Sequence, residues 1–322
     1  MITALEVIDR INCAATKGMP FLFGIDYELE NGFFIEDPLE DTSLMWRVGK
    51  YTNIAAQTIC SQKAGTYLHK YPVSFDAYKQ KFDALQAEQL QGNSFLANLT
   101  IQTPIETDYA LEELFLRSNS PYALLIPNQL VCFSPETFIK VANGKISSNP
   151  MKGTISASIP NAEAQILGDY KEQAEHFTIV DFIRNDLSRV AEQVRVEKLR
   201  YIDRLQTSNG ELLQVSSLIT GCLNKIKLGD MLFELLPAGS ISGAPKKSTV
   251  NLLQRIEKQK RGFYTGVFGY FDGKDLDTSV MIRYIEQLDD QLFFRSGGGI
   301  TVNSNVQCEY QEVIDKIYLP FV

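Results

Sequence analysis

The chain of 322 residues is 44% hydrophobic and 22% charged, a composition that excludes disordered and collagen-like proteins. Its 31 basic and 39 acidic residues give a net charge of −8, which disfavours nucleic acid and anionic membranes as partners but still permits a local site for a small anion. No apolar run approaches the length of a membrane span and no signal peptide is visible, so we expect a cytoplasmic protein.

The first half of the sequence predicts a hairpin, a helix and several strands. FLFGIDYE and NGFFIEDP flank a turn signal at Glu30, Asn31 and Gly32, which predicts a β-hairpin. Residues 74–92 carry apolar side chains at helical spacing and end at Gly92, as expected for an amphipathic helix. Four segments predict strands that are interrupted by Pro and Gly: ANLTIQTPI, YALLIPN, LVCFSPETFIKVANG and GKISSNPMKGT.

The second half alternates helices with strands. Residues 161–191 predict a helix with an apolar face made of Phe177, Val180, Ile183, Leu187 and Val190. A strand pattern at 212–221 precedes a helix that begins near Pro245 and ends near Gly262. FYTGVFGYFDG, TSVMIRYIEQ and QLFFRSGGGITV predict strands, and QCEYQEVIDKIYL predicts a final helix. We therefore expect an α+β fold with a mainly antiparallel sheet, in one domain because no linker is visible.

The histidine and cysteine content narrows the chemistry. The two histidines, His69 and His176, lie in no pattern typical of a serine triad or an HExxH zinc site. The five cysteines are scattered and form no CxxC pair, which argues against a zinc site and a disulfide framework. We therefore expect chemistry based on Glu, Asp, Lys and backbone groups, with Mg²⁺ as the first candidate for any metal.

Two acidic helices could supply ligands for such an ion. Glu309, Glu312 and Lys316 fall on one face of the final helix, and Glu172 and Glu175 lie one turn apart in the earlier helix. One glutamate from each helix would suffice, because Mg²⁺ usually takes one or two carboxylates together with waters and an anionic ligand. Taken alone, each pattern is more typical of a solvent-exposed charged face.

Three further segments could bind an anion. Residues 297–299, all glycine, would let backbone N–H groups approach a ligand, or would mark a sharp bend. The helix that begins near Pro245 follows a run of small residues, so its first turn could hold a carboxylate or phosphate together with Ser240 and Ser242. Arg283, in a predicted strand, could clamp a carboxylate or form a surface ion pair.

Lys152 and Glu136 form a candidate reactive pair. A lysine is nucleophilic only when neutral, so Lys152 in NPMKGT would need a buried or cationic environment, and an exposed turn is the alternative. Glu136 in SPETF could be its acid–base partner if the two strands form a hairpin. Otherwise Glu136 is an ordinary turn carboxylate.

Together these segments resemble the family of chorismate-utilising enzymes, which includes anthranilate, aminodeoxychorismate, isochorismate and salicylate synthases. The matching motifs follow the family's order over about residues 130–320: SPETF, NPMKGT, EHFTIVDFIRNDLSRV, LLPAGSISGAPKKS, RGFYTGVFGYFD, VMIRYIE, GGGIT and CEYQEVIDK. The resemblance implies an anthranilate synthase component I-like fold of two packed, mainly antiparallel sheets with flanking helices. It also implies one chorismate-binding domain over residues 1–322, with a shortened N-terminal part.

The residue before Gly-Thr in NPMKGT differs between branches of this family. Anthranilate synthases typically have Ala there, as isochorismate and salicylate synthases usually do, whereas aminodeoxychorismate synthases have Lys. The resemblance therefore implies that Lys152 attacks C2 of chorismate and that Glu136 acts as general acid and base during amination at C4. Gln214 replaces a histidine that the family's anthranilate synthases use to eliminate pyruvate, which argues against that elimination.

The resemblance also implies ligands and partners. Glu175 and Glu312 match the family's Mg²⁺ ligands, and Glu309 would bind the ion through water. The family's substrate-binding positions are matched by Ser240, Tyr264, Arg283, Gly298 and Gly299. A separate glutamine amidotransferase subunit is expected to supply ammonia, and a separate lyase to release 4-aminobenzoate for folate synthesis.

Two alternative functions stay open. The chain could be a related chorismate enzyme that forms anthranilate or isochorismate. It could also be a non-catalytic anion-binding protein that has kept the scaffold. The product formed from chorismate distinguishes the first alternative from amination at C4. The absence of any turnover would identify the second alternative.

Overall fold

The computed structural model describes residues 1–54, 67–207 and 210–319. The helices in these ranges are α1 (Ala4–Lys17), α2 (Phe75–Leu90), α3 (Leu111–Arg117), α4 (Ala162–Gly168), α5 (Tyr170–Leu187), α6 (Leu228–Leu235), α7 (Gly239–Ser242), α8 (Lys246–Glu257) and α9 (Val306–Asp315). The strands are β1 (Ile2–Thr3), β2 (Phe21–Ile25), β3 (Asn31–Glu36), β4 (Met45–Val48), β5 (Tyr51–Thr52), β6 (Leu68–Lys70), β7 (Leu96–Thr107), β8 (Tyr122–Ile126), β9 (Leu130–Ser134), β10 (Thr137–Ala142), β11 (Lys145–Ser148), β12 (Met151–Ser156), β13 (Ala191–Thr207), β14 (Gly210–Leu223), β15 (Gly243–Ala244), β16 (Val267–Phe271), β17 (Leu276–Val280), β18 (Tyr284–Leu288) and β19 (Gln291–Ile300).

The strands form two sheets, and the predicted α+β class is confirmed. The first sheet has the order β1-β3-β2-β16-β17-β10-β11-β14-β12, with β13 also paired to β14. The second has the order β15-β7-β19-β18-β9-β8-β4-β5, with β6 also paired to β7. The strand pairings within both sheets are antiparallel, and hairpins join some of the neighbouring strands directly. The residue pattern predicted one sheet, whereas the resemblance correctly implied two.

The two sheets pack face to face through an apolar layer. Leu22 and Phe268 of the first sheet pack there with Trp46 and Leu124 of the second. Helices α1, α5 and α6 cover the other face of the first sheet. Helices α2 and α8 pack against β7 of the second sheet, and α9 packs against β19. Successive apolar side chains of a strand point to opposite faces of the sheet, so they pack into two different cores.

The N-terminal hairpin is confirmed, but its turn lies earlier than predicted. Strands β2 and β3 pair from Phe21 with Glu36 to Ile25 with Gly32. The turn covers residues 26–30, because the Asp26 carboxylate accepts hydrogen bonds from the backbone N–H groups of Glu30 and Asn31. The helix predicted over residues 74–92 is also confirmed, as α2, and the Ser74 side chain caps it.

The prediction of one continuous helix over residues 161–191 is wrong. The chain breaks between α4 and α5, and the Asp169 side chain accepts a hydrogen bond from the N–H of Glu172 to cap α5. Phe177 is 43% exposed and lies beside the Arg200 guanidinium, so it does not belong to the buried face. His176 and Ile179 are buried instead.

Two other boundaries also differ from the prediction. Helix α8 ends at Glu257 rather than near Gly262, because Lys258 adopts a left-handed conformation with φ of 55°. Strand β13 was not predicted, since its alternating charged side chains are largely exposed and give no apolar pattern.

The described helices and cysteines add two findings. None of these helices is long and apolar enough to cross a membrane. Cys13, Cys132, Cys222 and Cys308 are free thiols, and the remaining cysteine considered above, Cys60, lies outside the described residues.

Candidate active site

A polar cavity of about 300 Å³ brings together most of the predicted site residues. Its walls come from β7, β12 and β19, from the facing sides of α5 and α9, and from α7 with the loops before β10, β16 and β18. The predicted residues that line it are Glu136, Lys152, Glu175, Ser240, Tyr264, Arg283, Gly299 and Glu312. The predicted residues Gly298 and Glu309 lie directly behind this wall, with a Glu309 oxygen 3.6 Å from the Cβ position of Gly298.

Lys152 projects from β12 into this cavity. A register shift between Lys152 and Thr154 marks a bulge in the pairing with β14, and Gly153 adopts φ of 75° there. Bulges of this kind redirect side chains at the edge of a sheet. The Lys152 Nζ atom lies 3.2 Å from an oxygen of Glu175, and the side chain is only 27% exposed. The amine therefore faces the acidic helix rather than bulk solvent.

Glu136 also lines the cavity and lies just before β10. The predicted hairpin is confirmed, because β10 and β11 pair with each other and β12 follows β11 along β14. Ser240 Oγ donates a 2.6 Å hydrogen bond to the Glu136 carboxylate. Burial raises the pKa of Glu136, while this hydrogen bond and the positive charges of Lys152 and Arg283 oppose the rise.

Three carboxylates of α5 and α9, those of Glu172, Glu175 and Glu312, line the cavity, and that of Glu309 lies behind its wall. An oxygen of Glu309 and one of Glu312 each lie 3.6 Å from the Cβ position of Gly298, so the two groups converge on β19. Burial raises the pKa of Glu172, and the negative charges of Glu175 and Glu312 raise it further. The acidic side chains of the two helices therefore form one shared surface rather than two separate faces. We call this surface the acidic wall; it consists of Glu172, Glu175, Glu309 and Glu312.

Two lysines balance part of this negative charge. Lys152 pairs with Glu175 on α5, and Lys316 Nζ lies 2.7 Å from Glu312 on α9. Lys316 also donates a 2.8 Å hydrogen bond to the carbonyl of Gly297, which fixes the end of α9 against β19. Each acidic helix thus presents one carboxylate already in contact with an ammonium group.

The donor set fits a hard divalent cation. In residues 1–54, 67–207 and 210–319, no three His, Cys, Asp or Glu side chains already stand in a metal-binding arrangement. The acidic wall nevertheless offers only carboxylate oxygens, from two helices that face one cavity, which is the ligand type that Mg²⁺ prefers. Glu175 and Glu312 can turn from ammonium groups to an ion because both lysine side chains are long and flexible.

Tyr264 and Arg283 line another part of the cavity, near β16 and β18. Tyr264 is buried, and burial raises the pKa of its phenol to about 12, so it remains a hydrogen-bond donor. The sequence predicted a strand at Arg283, but this residue lies between β17 and β18, with φ of 52°. Its Nε atom donates a 3.0 Å hydrogen bond to the Tyr318 hydroxyl, which holds the guanidinium at the cavity mouth.

The glycine run lies within the strand predicted for QLFFRSGGGITV and does not form a sharp bend. Residues 297–299 lie inside β19 and pair with residues 98–100 of β7. A Cβ on Gly297 would lie 2.7 Å from the carbonyl of Leu99, so close packing of the two strands requires glycine there. Gly299 nevertheless lines the cavity, with its Cβ position 4.0 Å from Lys152 Nζ.

The start of α8, where an anion site was predicted, does not line this cavity. Lys246 points away from the cavity and forms an ion pair with Asp186 at 2.7 Å, and it also donates to the carbonyl of Leu235. The short helix α7 places Ser240 at the cavity and turns Ser242 into the interior. Of the residues in that prediction, Ser240 therefore belongs to the site, and Ser242 and the start of α8 do not.

Several lining residues were not predicted as site residues. They include Asn98, Thr100, Gln214, Thr265, Arg295 and Lys316. Asn98 and Thr100 alternate with buried apolar residues of β7, and polar residues at every second position of an otherwise apolar strand are a signal that could have identified them. Lys316 was noted only as part of a charged helix face.

Comparisons with known proteins show what the chain is similar to. A family model described as "chorismate binding enzyme" matches residues 35–320. A Haemophilus influenzae protein named as an uncharacterised PabA-like protein is 47% identical over 99% of this chain and 97% of its own length. Aminodeoxychorismate synthase component 1 of Salmonella typhimurium is 33% identical over 74% of this chain but only 56% of its own length. The crystal structure of anthranilate synthase component I from Streptococcus pneumoniae has a TM-score of 0.70 at 26% identity, covering 82% of this chain and 62% of that one.

Proposed function

Since the chain belongs to the family of chorismate-binding enzymes, we propose that it is an aminodeoxychorismate synthase component I. In this reaction chorismate and ammonia give 4-amino-4-deoxychorismate. The observation that carries the proposal is the position of Lys152, whose amine lies inside the cavity 3.2 Å from Glu175. The Salmonella relative with this named activity supports the choice, although the chain spans only about half of that protein's length.

The reaction requires two displacements on the ring. The neutral amine of Lys152 attacks C2 of chorismate, the ring double bonds shift, and the C4 hydroxyl leaves as water with a proton from Glu136. Ammonia then adds at C4, the double bonds shift back and the lysine leaves C2 as the free amine. The ionised Glu136 accepts the proton that the new amino group loses. A buried carboxyl with a raised pKa suits both roles, because it stays protonated until the hydroxyl leaves.

Chorismate carries two carboxylates, and the cavity offers two different walls for them. Arg283 and Tyr264 are proposed to bind the enolpyruvyl carboxylate through charge-assisted hydrogen bonds. Ser240 and the backbone of Gly298 and Gly299 would bind near the ring. The ring would then lie between Glu136 and Lys152, which is the order that attack at C2 and departure from C4 require.

We place Mg²⁺ at the acidic wall. Glu175 and Glu312 would bind the ion directly, and the buried Glu309 would bind through water. When bound, the ion supplies charge neutralisation of the ring carboxylate.

Mg²⁺ binding should depend on Glu312. We expect Glu312→Gln to weaken Mg²⁺ binding by roughly tenfold or more, because the amide removes a charge from the acidic wall. The measurement is isothermal titration with MgCl₂ in the absence of chorismate. Asp315→Asn, an exposed acid on the same helix, is the matched control and should bind Mg²⁺ like the wild type. Equal affinities for wild type and Glu312→Gln would place the ion elsewhere.

The ammonia is proposed to come from a glutamine amidotransferase subunit. The Haemophilus relative is named PabA-like, which supports a connection with amidotransferases of that type. Free ammonium should replace the partner in vitro, because the chemistry at C4 needs only dissolved ammonia.

Product analysis tests the proposed function. Purified protein is incubated with chorismate, MgCl₂ and ammonium, and an aminodeoxychorismate lyase is added. We expect 4-aminobenzoate, detected by chromatography. Two other main products would contradict the proposal. Isochorismate would favour a related chorismate enzyme. Anthranilate, detected by its fluorescence, would favour the activity named for the Streptococcus structure. Gln214 and Lys152 argue against that outcome, since both differ from the anthranilate-forming pattern.

A further inference from the structure

A buried ion pair lies directly behind the cavity wall. Arg261 and Glu257 have side chains only 1% and 5% exposed. Arg261 Nε donates to one oxygen of Glu257 at 2.9 Å and Nη2 donates to the other at 2.7 Å. The guanidinium also stacks 4.4 Å from the ring centre of Tyr27. Two buried charges cost free energy unless the surrounding groups complete their hydrogen bonds.

The remaining donors of Arg261 reach three separate segments of the wall. Nη2 donates to the carbonyl of Asn98 on β7 at 2.7 Å. Nη1 lies 3.3 Å from the carbonyl of Ile241 on α7 and 3.4 Å from the hydroxyl of Thr265. Asn98, Ile241 and Thr265 all line the cavity, although they are far apart in the sequence. One planar guanidinium therefore sets their spacing.

Glu257 fixes a fourth lining residue. Its Oε1 atom accepts hydrogen bonds from the backbone N–H and the hydroxyl of Thr100, at 2.9 and 3.0 Å. Both bonds hold β7 against the end of α8. The pair thus ties β7, α7 and the loop before β16 to α8.

The contacts continue to the reactive groups. The Asn98 side chain donates to the carbonyl of Ser240 at 3.0 Å, and Ser240 Oγ donates to Glu136 at 2.6 Å. Thr265 follows Tyr264 and donates to its carbonyl at 2.6 Å. The ion pair is therefore connected to the acid on one side and to the phenol on the other.

We propose that the Glu257–Arg261 ion pair is a positioning element that sets the distance between Glu136 and Tyr264, acting through Asn98, Ser240 and Thr265. The role of Glu136 in this statement rests on the proposed function. The geometric part does not, because any reaction of chorismate in this cavity uses the same walls.

The test compares Arg261→Lys and Glu257→Gln with the wild type. A lysine has one nitrogen and cannot reach Glu257, Asn98 and Ile241 together, so we expect kcat to fall by roughly 10- to 100-fold and KM to change by less than about threefold. Glu257→Gln keeps the size and one acceptor oxygen, and we expect a smaller loss of roughly two- to tenfold. The alkaline limb of the kcat profile should also move to higher pH in Arg261→Lys. Displacing Ser240 removes a hydrogen bond that lowers the pKa of Glu136.

The rate is measured as the consumption of chorismate, which does not depend on which product forms. An unexpected product would therefore refute the proposed function, while the rates of the variants would still test the positioning role. Leu114→Ala truncates a buried residue of a different core cluster and controls for lost stability. The positioning role is overturned if both pair variants, like this control, melt earlier but keep the kcat and pH profile of the wild type. If Arg261→Lys does not fold, Glu257→Gln decides the outcome alone.

Discussion

Replacing Lys152 with alanine should lower the rate of chorismate amination by roughly 1,000-fold or more. Without the amine there is no nucleophile to attack C2, and ammonia would have to displace the C4 hydroxyl in a single step. The loss should fall on kcat, because the residues proposed to bind the two carboxylates of chorismate stay in place. The assay is 4-aminobenzoate formation with saturating ammonium and an added lyase.

Mg²⁺ titration provides the control for this variant. Lys152 contacts Glu175, so removing the lysine also removes a cation that competes for this carboxylate. We expect Lys152→Ala to keep a native melting profile and to bind Mg²⁺ as tightly as the wild type, or a few-fold more tightly, about the value of one partly exposed ion pair. An inactive variant that still binds Mg²⁺ separates loss of the nucleophile from loss of the site. Retained amination by Lys152→Ala would refute the proposed role of Lys152.

Replacing Glu136 with glutamine should lower kcat by roughly 100- to 10,000-fold. The amide still accepts the hydrogen bond from Ser240 and fills the same space, but it cannot donate a proton to the leaving hydroxyl. Burial raises the pKa of Glu136, so the active, protonated form persists to higher pH than for an ordinary glutamate. The wild-type rate should therefore fall as the pH rises through this raised pKa, and the fall should be absent from the residual activity of Glu136→Gln.

Ser240→Ala is the matched control for this assignment. Its hydroxyl donates to the carboxylate and thereby lowers the pKa of Glu136, so its removal should raise that pKa further. We expect the alkaline limb of the pH–rate profile to move upward in Ser240→Ala, while the maximal rate falls much less than in Glu136→Gln. A pH–rate profile of Glu136→Gln that matches the wild type would assign the limb to another group.

The sequence predicted which residues line the cavity better than it predicted the backbone that carries them. Lys152 and Glu136 were identified from short motifs, and their strands belong to a hairpin region whose alternation was visible. Arg283 was identified as well, but its conformation was not. A left-handed residue between two strands depends on how β17 and β18 pair with different neighbours, which a local pattern does not contain.

The parts that were not predicted depend on contacts between distant segments. The break at Asp169 is a local capping contact, but Phe177 leaves the buried face because Arg200 of β13 lies beside it. Asn98 and Thr100 become site residues only because α8 and β19 pack on β7. The Arg261–Glu257 pair has ordinary helical spacing, and its role follows from carbonyl groups that no periodicity reveals.

The central claim is that Lys152 bonds covalently to the ring. It is tested most directly by mass spectrometry of the protein incubated with chorismate and MgCl₂ but without ammonia, quenched in acid and digested. We expect the peptide that contains Lys152 to gain the mass of chorismate minus water, and this species to disappear when ammonium is added before the quench. Amination at an undiminished rate with no such adduct at any time would contradict the account.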